Sequence, residues 1–192
     1  MPAPAAHSPA RRPRWQRWLI DAALIAAVFA AVQLWQTRHV PAGPAPAFVG
    51  PLAAGGQGSL AAWRAAHPGG PVAVYFWADW CPICKAQQGS ISGLAEGWPV
   101  LTVAMQSGDP ADVAKVLAER GLAWPTVVDE DGAITARYGL AGVPALAVID
   151  ADGQLRSVAV GYTTTFGMQA RLWWASLVSA GGWPGDSRKG SE

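Results

Sequence analysis

Cys81 and Cys84 are the only two cysteines of this 192-residue chain, and they stand in a Cys-Pro-Ile-Cys motif. The apolar run at 71–77 predicts a buried strand that leads into the motif, and a helix is predicted to begin at the first cysteine. A sulfur at a helix N-terminus lies beside unpaired N–H groups and the positive end of the helix dipole, which both favour an anion. We therefore predict that Cys81 is a thiolate nucleophile.

Three residues around the cysteines are expected to support this chemistry. Pro82 suits the first helical position because its missing N–H would have no helical partner, and Lys85 adds a positive charge one turn later. Trp80 is expected to shape the groove beside the motif. Cys84 lies on the same helix face as Cys81, so it is predicted to close a disulfide with it and to resolve mixed disulfides.

A cysteine pair also serves other purposes, and three of them are alternatives to redox chemistry here. A structural zinc site needs four nitrogen or sulfur ligands, and His67 is the only histidine within the predicted globular part. A structural disulfide across a two-residue loop would stabilise the fold weakly. A copper-binding or copper-delivery module with two thiolate ligands stays open, although Met105 and His67 are its only further candidate ligands. Redox chemistry is favoured, with the Cys81–Cys84 disulfide as the redox group and with no metal or other cofactor.

Two segments of the sequence resemble thioredoxin-like proteins. Residues 76–85, Phe-Trp-Ala-Asp-Trp-Cys-Pro-Ile-Cys-Lys, resemble their active-site segment. The Gly-Val-Pro at 142–144, followed by a strand-like run at 145–150, resembles their cis-proline loop, which lies against the cysteine pair and helps to hold the substrate chain. The resemblance implies that Val143 and Pro144 bind the partner backbone and that the bond between them is cis.

The spacing of the two segments is similar to that of one branch of this family. Pro144 follows Cys84 by 60 positions, more than in plain thioredoxin, and this resembles the membrane-anchored periplasmic branch with an inserted strand and helix. That branch includes TlpA-like proteins, cytochrome-c-maturation thioredoxins and the disulfide oxidoreductases of copper-sensitivity suppression. The last group looks closest, because of the Cys-Pro-x-Cys motif and the Gly-Tyr-Thr-Thr at 161–164.

The resemblance implies a fold, partners and an activity. The expected α/β fold is thioredoxin-like, with a central mixed sheet flanked by helices and with the inserted strand and helix, over residues 59–183. The expected activity is thiol:disulfide exchange with protein thiols and disulfides outside the cytoplasm. A membrane electron donor or acceptor of the DsbD or DsbB type is the further partner that the resemblance implies.

Two positions depart from the family pattern. Thioredoxin carries a buried Asp six positions before its first cysteine, where this chain has Tyr75. The cytochrome-maturation branch carries a Glu three positions after the second cysteine, where this chain has Gln87. In both cases the acid is associated with the proton of the second thiol, so the resemblance supplies no proton acceptor for Cys84. Asp79, acting through water, is one candidate, and the motif alone does not set the direction of electron flow.

The N-terminal segment has the pattern of a membrane anchor. The run from Trp18 to Trp35 is almost wholly apolar, with a tryptophan at each end. Only Arg38 follows this run closely, whereas four arginines precede it: Arg11, Arg12, Arg14 and Arg17. The positive-inside rule then predicts a cytoplasmic segment at 1–17, a single-pass anchor at 18–36 and a domain that faces outward. The resemblance to the periplasmic branch implies that the membrane is the inner membrane and that the domain lies in the periplasm. A cleaved signal peptide is the alternative.

The remaining segments complete the predicted organisation. Residues 37–58 are rich in Pro, Gly and Ala and predict a linker, and residues 184–192 predict a flexible tail. The formal net charge of +1 gives no electrostatic case for binding nucleic acid.

Two helices carry predictions about which side chains they bury. In the helix from 82 to 96, Ile83 and Ala95 are expected to face inward together with Ile91 and Leu94, and two glycines are expected to mark a kink or a close approach. The last helix is expected to bury an apolar side formed by Phe166, Ala170, Trp173, Trp174 and Leu177.

Overall fold

The computed structural model describes residues 14–180, so the start of the predicted basic segment and the predicted tail at 184–192 lie outside the described residues. The chain divides into two units, one ending at Trp35 and one beginning at Gln36. In chain order the described elements are α1 (Arg14–Thr37), β1 (Gly43–Pro44), β2 (Val49–Pro51), β3 (Gln57–Ser59), α2 (Leu60–Ala66), β4 (Val72–Trp77), α3 (Pro82–Ala95), β5 (Val100–Met105), α4 (Pro110–Glu119), β6 (Thr126–Asp129), α5 (Ala133–Arg137), β7 (Ala145–Ile149), β8 (Gln154–Val160) and α6 (Thr165–Ala180).

The segment of the predicted anchor, residues 18–36, is helical and lies within α1. Among the residues that the structure describes, no helix has both the length and the apolar character that crossing a membrane requires. The predicted transmembrane anchor is therefore not confirmed by the structure.

The second unit is built on a six-stranded sheet in the order β1-β8-β7-β4-β5-β6. β4 pairs in parallel with β5 and antiparallel with β7, so the sheet is mixed, as predicted. All six residues of β4 are buried. A strand covered on both faces needs apolar side chains throughout, which explains the continuous apolar run before the cysteines.

Two hydrophobic clusters cover the two faces of this sheet. Side chains alternate along a strand, so every second residue of β4 belongs to the cluster that also holds Cys81 and Cys84: Ala73, Tyr75 and Trp77. Met168 and Leu172 of α6 belong to the same cluster. The intervening β4 residues belong to the second cluster, together with Tyr138. Both redox sulfurs therefore lie on the α3 and α6 side of the sheet.

The structure corrects the prediction that residues 37–58 form a linker, because these residues are part of the folded domain. Gly43 of β1 pairs with Leu155 of β8, and β2 pairs with β3. Phe48 is buried in the second cluster, and the Tyr138 hydroxyl donates a hydrogen bond to the Pro46 carbonyl at 3.0 Å. These strands are two or three residues long and rich in Gly and Pro, so they show no apolar period. These residues are therefore ordered by their contacts with other segments and not by an apolar pattern of their own.

The inward face of α3 also differs in part from the prediction. Ile83 and Ala95 are exposed, whereas the buried residues follow a regular helical spacing: Cys84, Gln87, Ile91 and Leu94. The prediction for Ile83 and Ala95 was wrong because the thiol and the amide, not the flanking apolar residues, occupy the face that meets the sheet.

The apolar side predicted for α6 is exposed in the structure. Phe166, Trp173 and Trp174 are 81%, 59% and 63% exposed, whereas Met168, Leu172 and Ala175 are buried. The helix is apolar on both sides, so hydrophobic periodicity alone selected the wrong one.

The two glycines inside α3 give a prediction about stability. A Cβ added at Gly89 or Gly93 would meet no atom within 4 Å, so neither residue marks the close approach that the sequence suggested. Glycine in a helix interior costs about 0.5–1 kcal/mol relative to alanine, so Gly89→Ala and Gly93→Ala are each expected to raise the free energy of unfolding by about that amount. Urea unfolding measures it. Gly139→Ala is the contrasting variant and is expected to lower the free energy of unfolding. Gly139 has φ +68°, and its added Cβ would collide with the His39 carbonyl.

Candidate active site

The first cysteine forms the N-cap of the active-site helix. β4 ends at Trp77, α3 begins at Pro82, and Cys81 between them has the extended backbone that an N-cap requires. Its sulfur accepts a hydrogen bond from the Cys84 backbone N–H at 3.1 Å. An N–H donor at a helix N-terminus stabilises a thiolate more than a thiol, so the local structure favours Cys81 as the nucleophile.

The second cysteine has the opposite environment. Cys84 is 1% exposed, and burial raises the pKa of its thiol to about 12, with the neighbouring Cys81 side chain as the next cause. The structure holds both cysteines as free thiols. At neutral pH Cys84 therefore remains protonated, whereas the Cys81 sulfur accepts a backbone N–H at the start of α3, and this difference gives the two sulfurs different tasks.

The loop of the cis proline lies against the nucleophile. The Val143–Pro144 peptide bond is cis, as the resemblance implied. The Cys81 thiol donates a hydrogen bond to the Val143 carbonyl at 3.7 Å. The structure thus brings together four of the predicted site residues, Cys81, Cys84, Val143 and Pro144.

The other predicted site residues lie at the start of α3. Pro82 is its first residue, and Lys85 is exposed one turn later. Trp80 is 55% exposed, and its indole N–H donates to the Gln106 carbonyl at 3.1 Å. This bond holds the indole beside the redox pair. By contrast Trp77 is 1% exposed and belongs to the core.

Sequence reasoning missed the residues that fix the loop before Cys81. The Asp79 N–H donates to Ser107 Oγ at 3.0 Å, and the Ser107 hydroxyl donates to the Met105 carbonyl at 3.0 Å. Arg120, at the end of α4, donates from Nη2 to the Asp79 carbonyl at 3.0 Å. These residues come from separate elements and mostly bond to backbone groups, so no local sequence motif indicates them.

Gln106 adopts a conformation that few residues other than glycine use. Its φ is +47°, and this geometry accompanies the bond between its carbonyl and the Trp80 indole. A left-handed residue other than glycine costs about 1 kcal/mol or more and persists only where its surroundings impose it. The turn after β5 therefore holds the acceptor that positions Trp80 in the active-site loop.

Two buried neutral polar residues occupy the positions that depart from the family pattern. Gln87 is 1% exposed, and its amide nitrogen donates to the Thr163 carbonyl at 3.0 Å, which ties α3 to the turn before α6. Tyr75 is fully buried on β4. Within residues 14–180, neither the Gln87 carbonyl oxygen nor the Tyr75 hydroxyl has a hydrogen-bond partner.

The further candidate copper or zinc ligand His67 belongs to another region of the domain. Its ring lies on Trp63, which packs against the second cluster, and its Nδ1 lies 2.8 Å from the Trp63 carbonyl. Cys81 and Cys84 belong to the first cluster, on the other face of the sheet. In the described part of the chain, no group of three or more His, Cys, Asp or Glu side chains is placed to hold a metal.

Comparison with known proteins places this arrangement in a family. The Redoxin family model matches residues 41–170. The chain belongs to the Redoxin family. The match begins inside the segment 37–58, in agreement with the strands found there.

The relatives of this Redoxin-family protein include named thiol:disulfide proteins. It is 31% identical over 156 residues to the thiol:disulfide interchange protein DsbE of Pseudomonas fluorescens biotype C, covering 76% of this chain and 86% of that one. It is 31% identical over 122 residues to a thioredoxin-like protein of Haemophilus influenzae, covering 63% of this chain and 72% of the relative.

A solved structure supports the fold. A crystal structure of a thiol:disulfide interchange protein of the thioredoxin family from Chlorobium tepidum TLS superposes with a TM-score of 0.59 at 24% identity, covering 71% of this chain and 97% of that one. The thioredoxin-like α/β fold is thus confirmed. With its cysteine pair and its named relatives, this Redoxin-family protein is a protein disulfide oxidoreductase.

The protonation of Cys84 makes the stability of the reduced protein depend on pH. Its pKa is raised from 9.0 to about 12, so above pH 9 the unfolded chain releases a proton that the native protein keeps. The unfolded state then binds fewer protons, and the free energy of unfolding falls as the pH rises. The stability that the protonated Cys84 thiol contributes is fully present below pH 9 and is lost as the pH rises toward 12.

We expect urea unfolding between about pH 8 and 10 to show a steeper loss of stability for the reduced wild type than for Cys84→Ser. Tyr138, whose pKa is raised by burial, is common to both proteins and cancels in the comparison. Tyr75 is expected to keep its proton in both native proteins over this range, because burial is the largest cause of its raised pKa. Equal slopes for the two proteins would contradict the assignment.

Proposed function

We propose that this protein exchanges disulfides with proteins outside the cytoplasm, with Cys81 as the attacking thiolate and Cys84 as the resolving thiol. One observation carries the proposal. The Cys81 sulfur accepts the Cys84 backbone N–H and also contacts the Val143 carbonyl of the cis-proline loop. The reactive sulfur therefore lies beside the backbone of the cis-proline loop, on which a partner chain can dock.

The chemistry proceeds through a mixed disulfide. The Cys81 thiolate attacks a partner disulfide, forms a sulfur–sulfur bond with one partner sulfur and releases the other as a thiolate. Cys84 then loses its proton and attacks the Cys81 sulfur, which releases the second partner thiolate. The partner gains two electrons, and the protein retains a Cys81–Cys84 disulfide. The oxidising direction is the reverse sequence.

The cis-proline loop is the proposed docking element for the partner backbone. Val143 is half-buried beside Cys81, and Pro144 lies just before β7. Trp80 and Ile83 are 55% and 50% exposed and flank the redox pair. An aromatic and an aliphatic surface around the sulfur fits apolar segments of a protein substrate better than small charged thiols.

An extracytoplasmic location forms part of the proposal. It is supported by the arginines that precede the apolar run of α1 and by the exposure of large apolar side chains along this helix, including Trp18, Leu24 and Ile25. We expect the full chain to pellet with membranes and to resist carbonate extraction if this segment anchors it. Recovery as a soluble periplasmic protein would indicate a cleaved leader, and recovery in the cytoplasm would refute the location.

The reduction potential of the full chain, equilibrated in glutathione buffers, tests the activity and assigns its direction. A value near about −270 mV indicates a reductant, which then needs a membrane donor of the DsbD type, and a value near about −120 mV indicates an oxidant served by an acceptor of the DsbB type. If no Cys81–Cys84 disulfide forms at any ratio of reduced to oxidised glutathione, the proposal fails.

A further inference from the structure

Tyr75 on β4 carries a buried hydroxyl that the redox steps above do not use. The side chain is fully buried, and no group in residues 14–180 forms a hydrogen bond with the hydroxyl. Burial of an unpaired hydroxyl lowers stability, and a phenylalanine would fill the same space without that cost. A purely structural role therefore leaves the presence of the oxygen unexplained.

The surroundings of the hydroxyl point to the resolving cysteine. Tyr75, Cys81 and Cys84 belong to one buried cluster. The Tyr75 ring packs edge-on against Trp124, with 5.9 Å between ring centroids and an interplanar angle of 84°, which fixes the direction of its hydroxyl. Tyr75 lies on the face of β4 that packs in the cluster of the redox pair, and its hydroxyl and the Cys84 thiol each shift the pKa of the other, although the two form no hydrogen bond of standard geometry in the reduced protein.

The ionisation of the two groups decides which of them donates. Burial raises the pKa of Tyr75 well above its ordinary value, and the Cys84 and Cys81 sulfurs raise it further, so the phenol keeps its proton. The Tyr75 hydroxyl in turn lowers the pKa of Cys84, against the larger effect of burial. Tyr75 is therefore a hydrogen-bond donor to an ionised sulfur and does not act as a base.

We propose that Tyr75 is a further catalytic residue, which donates a hydrogen bond to the Cys84 sulfur as that sulfur becomes a thiolate and attacks the mixed disulfide. The bond from Cys84 to Cys81 forms, the bond from Cys81 to the partner breaks, and the partner sulfur leaves with the electron pair. The proton that Cys84 loses balances the proton that the departing thiolate takes up through solvent. This inference rests on the proposed function.

A single turnover with an aromatic disulfide tests the role of Tyr75. Reduced full-length protein mixed with one equivalent of 5,5′-dithiobis(2-nitrobenzoate) releases one thionitrobenzoate when Cys81 attacks and a second when Cys84 resolves the adduct. The leaving group stays ionised, so the Cys84 proton passes to the buffer. The rate of the second release, followed by stopped flow as a function of pH, reports the resolving step alone.

Tyr75→Phe is expected to slow the second release about tenfold at neutral pH and to move its pH midpoint up by about one unit, because the thiolate loses its donor. The first release, which depends on Cys81, is expected to keep its rate. Tyr138→Phe is the matched control. Its hydroxyl donates to the Pro46 carbonyl in the second cluster, so the control is expected to lose stability and to leave both releases unchanged.

The outcomes separate the two proposals. If the wild type releases a single thionitrobenzoate and forms no Cys81–Cys84 disulfide, the proposed function fails. If the wild type releases two and Tyr75→Phe matches it in both rate and pH midpoint, the role of Tyr75 is overturned.

Folding of the variant is checked separately. Tyr75→Phe is expected to be at least as stable as the wild type, because it removes a buried unpaired hydroxyl. If it does not fold, 3,5-difluorotyrosine incorporated at position 75 provides a stronger donor of nearly the same shape. It is expected to accelerate the second release, and an unchanged rate would overturn the proposal.

Discussion

Cys84→Ser is expected to trap the protein on its partners through a mixed disulfide at Cys81. Without a resolving thiol, the partner is released only when an external thiol attacks the mixed disulfide. That thiol must enter a site where Cys81 is only 4% exposed. Well-oriented intramolecular reactions reach effective molarities of about 10⁵–10⁸ M, so turnover in millimolar glutathione is expected to fall by roughly 10³-fold or more. Insulin reduction measures the turnover, and non-reducing gels show the adduct.

Cys81→Ser is the matched control for trapping. It retains Cys84, but that thiol is 1% exposed and stays protonated, because burial, the largest cause of its raised pKa, is unchanged by the substitution. We expect this variant to show neither turnover nor adducts at neutral pH. Stable adducts on Cys81→Ser, and none on Cys84→Ser, would reverse the assigned roles of the two sulfurs.

The parts of the site that were predictable depend on contacts between near neighbours in the chain. Cys81, Pro82 and Cys84 occupy one turn of helix, so the cap, the first helical position and the shared face follow from their spacing. The cis bond before Pro144 was implied by the resemblance to thioredoxin-like proteins, since X–Pro bonds are mostly trans and the residues alone do not predict a cis bond. The features of the helix start need no knowledge of the rest of the fold.

The parts that sequence analysis missed depend on residues distant in the chain. β1 is two residues long and becomes a strand only because β8 pairs with it, so residues 37–58 resembled a linker. Arg120 reaches the Asp79 carbonyl across 41 positions, and a bond to a backbone group leaves no pattern in the residue types. The exposed side of α6 was misassigned because both of its sides are apolar, and only the packed structure distinguishes them.

The role of Asp129 is another feature that the sequence alone does not show, and its substitution gives the largest expected effect on stability. The sequence places it in an acidic turn with Asp131 and Gly132, but the structure shows it 2% exposed at the end of β6. Its carboxylate accepts hydrogen bonds from the Ile134 and Thr135 N–H groups, both at 2.9 Å, and from the Thr135 hydroxyl at 2.6 Å. It therefore caps α5 from outside the helix, where Gly132 at the N-cap offers no side chain.

Asp129→Ala is expected to lower the free energy of unfolding by about 3–5 kcal/mol, because bonds to a charged group are lost and two buried N–H donors are left unpaired. A loss of that size is a large share of the about 5–15 kcal/mol that holds a domain together, so the melting temperature is expected to fall by about 10 °C or more. Thermal and urea unfolding measure both quantities. Disulfide exchange per folded molecule, assayed well below the transition, is expected to stay near that of the wild type.

Asp131→Ala is the matched control in the same turn. Its carboxylate accepts one hydrogen bond, from the Ala133 N–H at 2.9 Å, and the residue is exposed. Water replaces an exposed partner, so a loss of about 1 kcal/mol or less is expected. A similar loss for both variants would show that the two aspartates act only as turn residues. A large loss confined to Asp129→Ala would establish its buried carboxylate as the group that connects the sheet edge to α5.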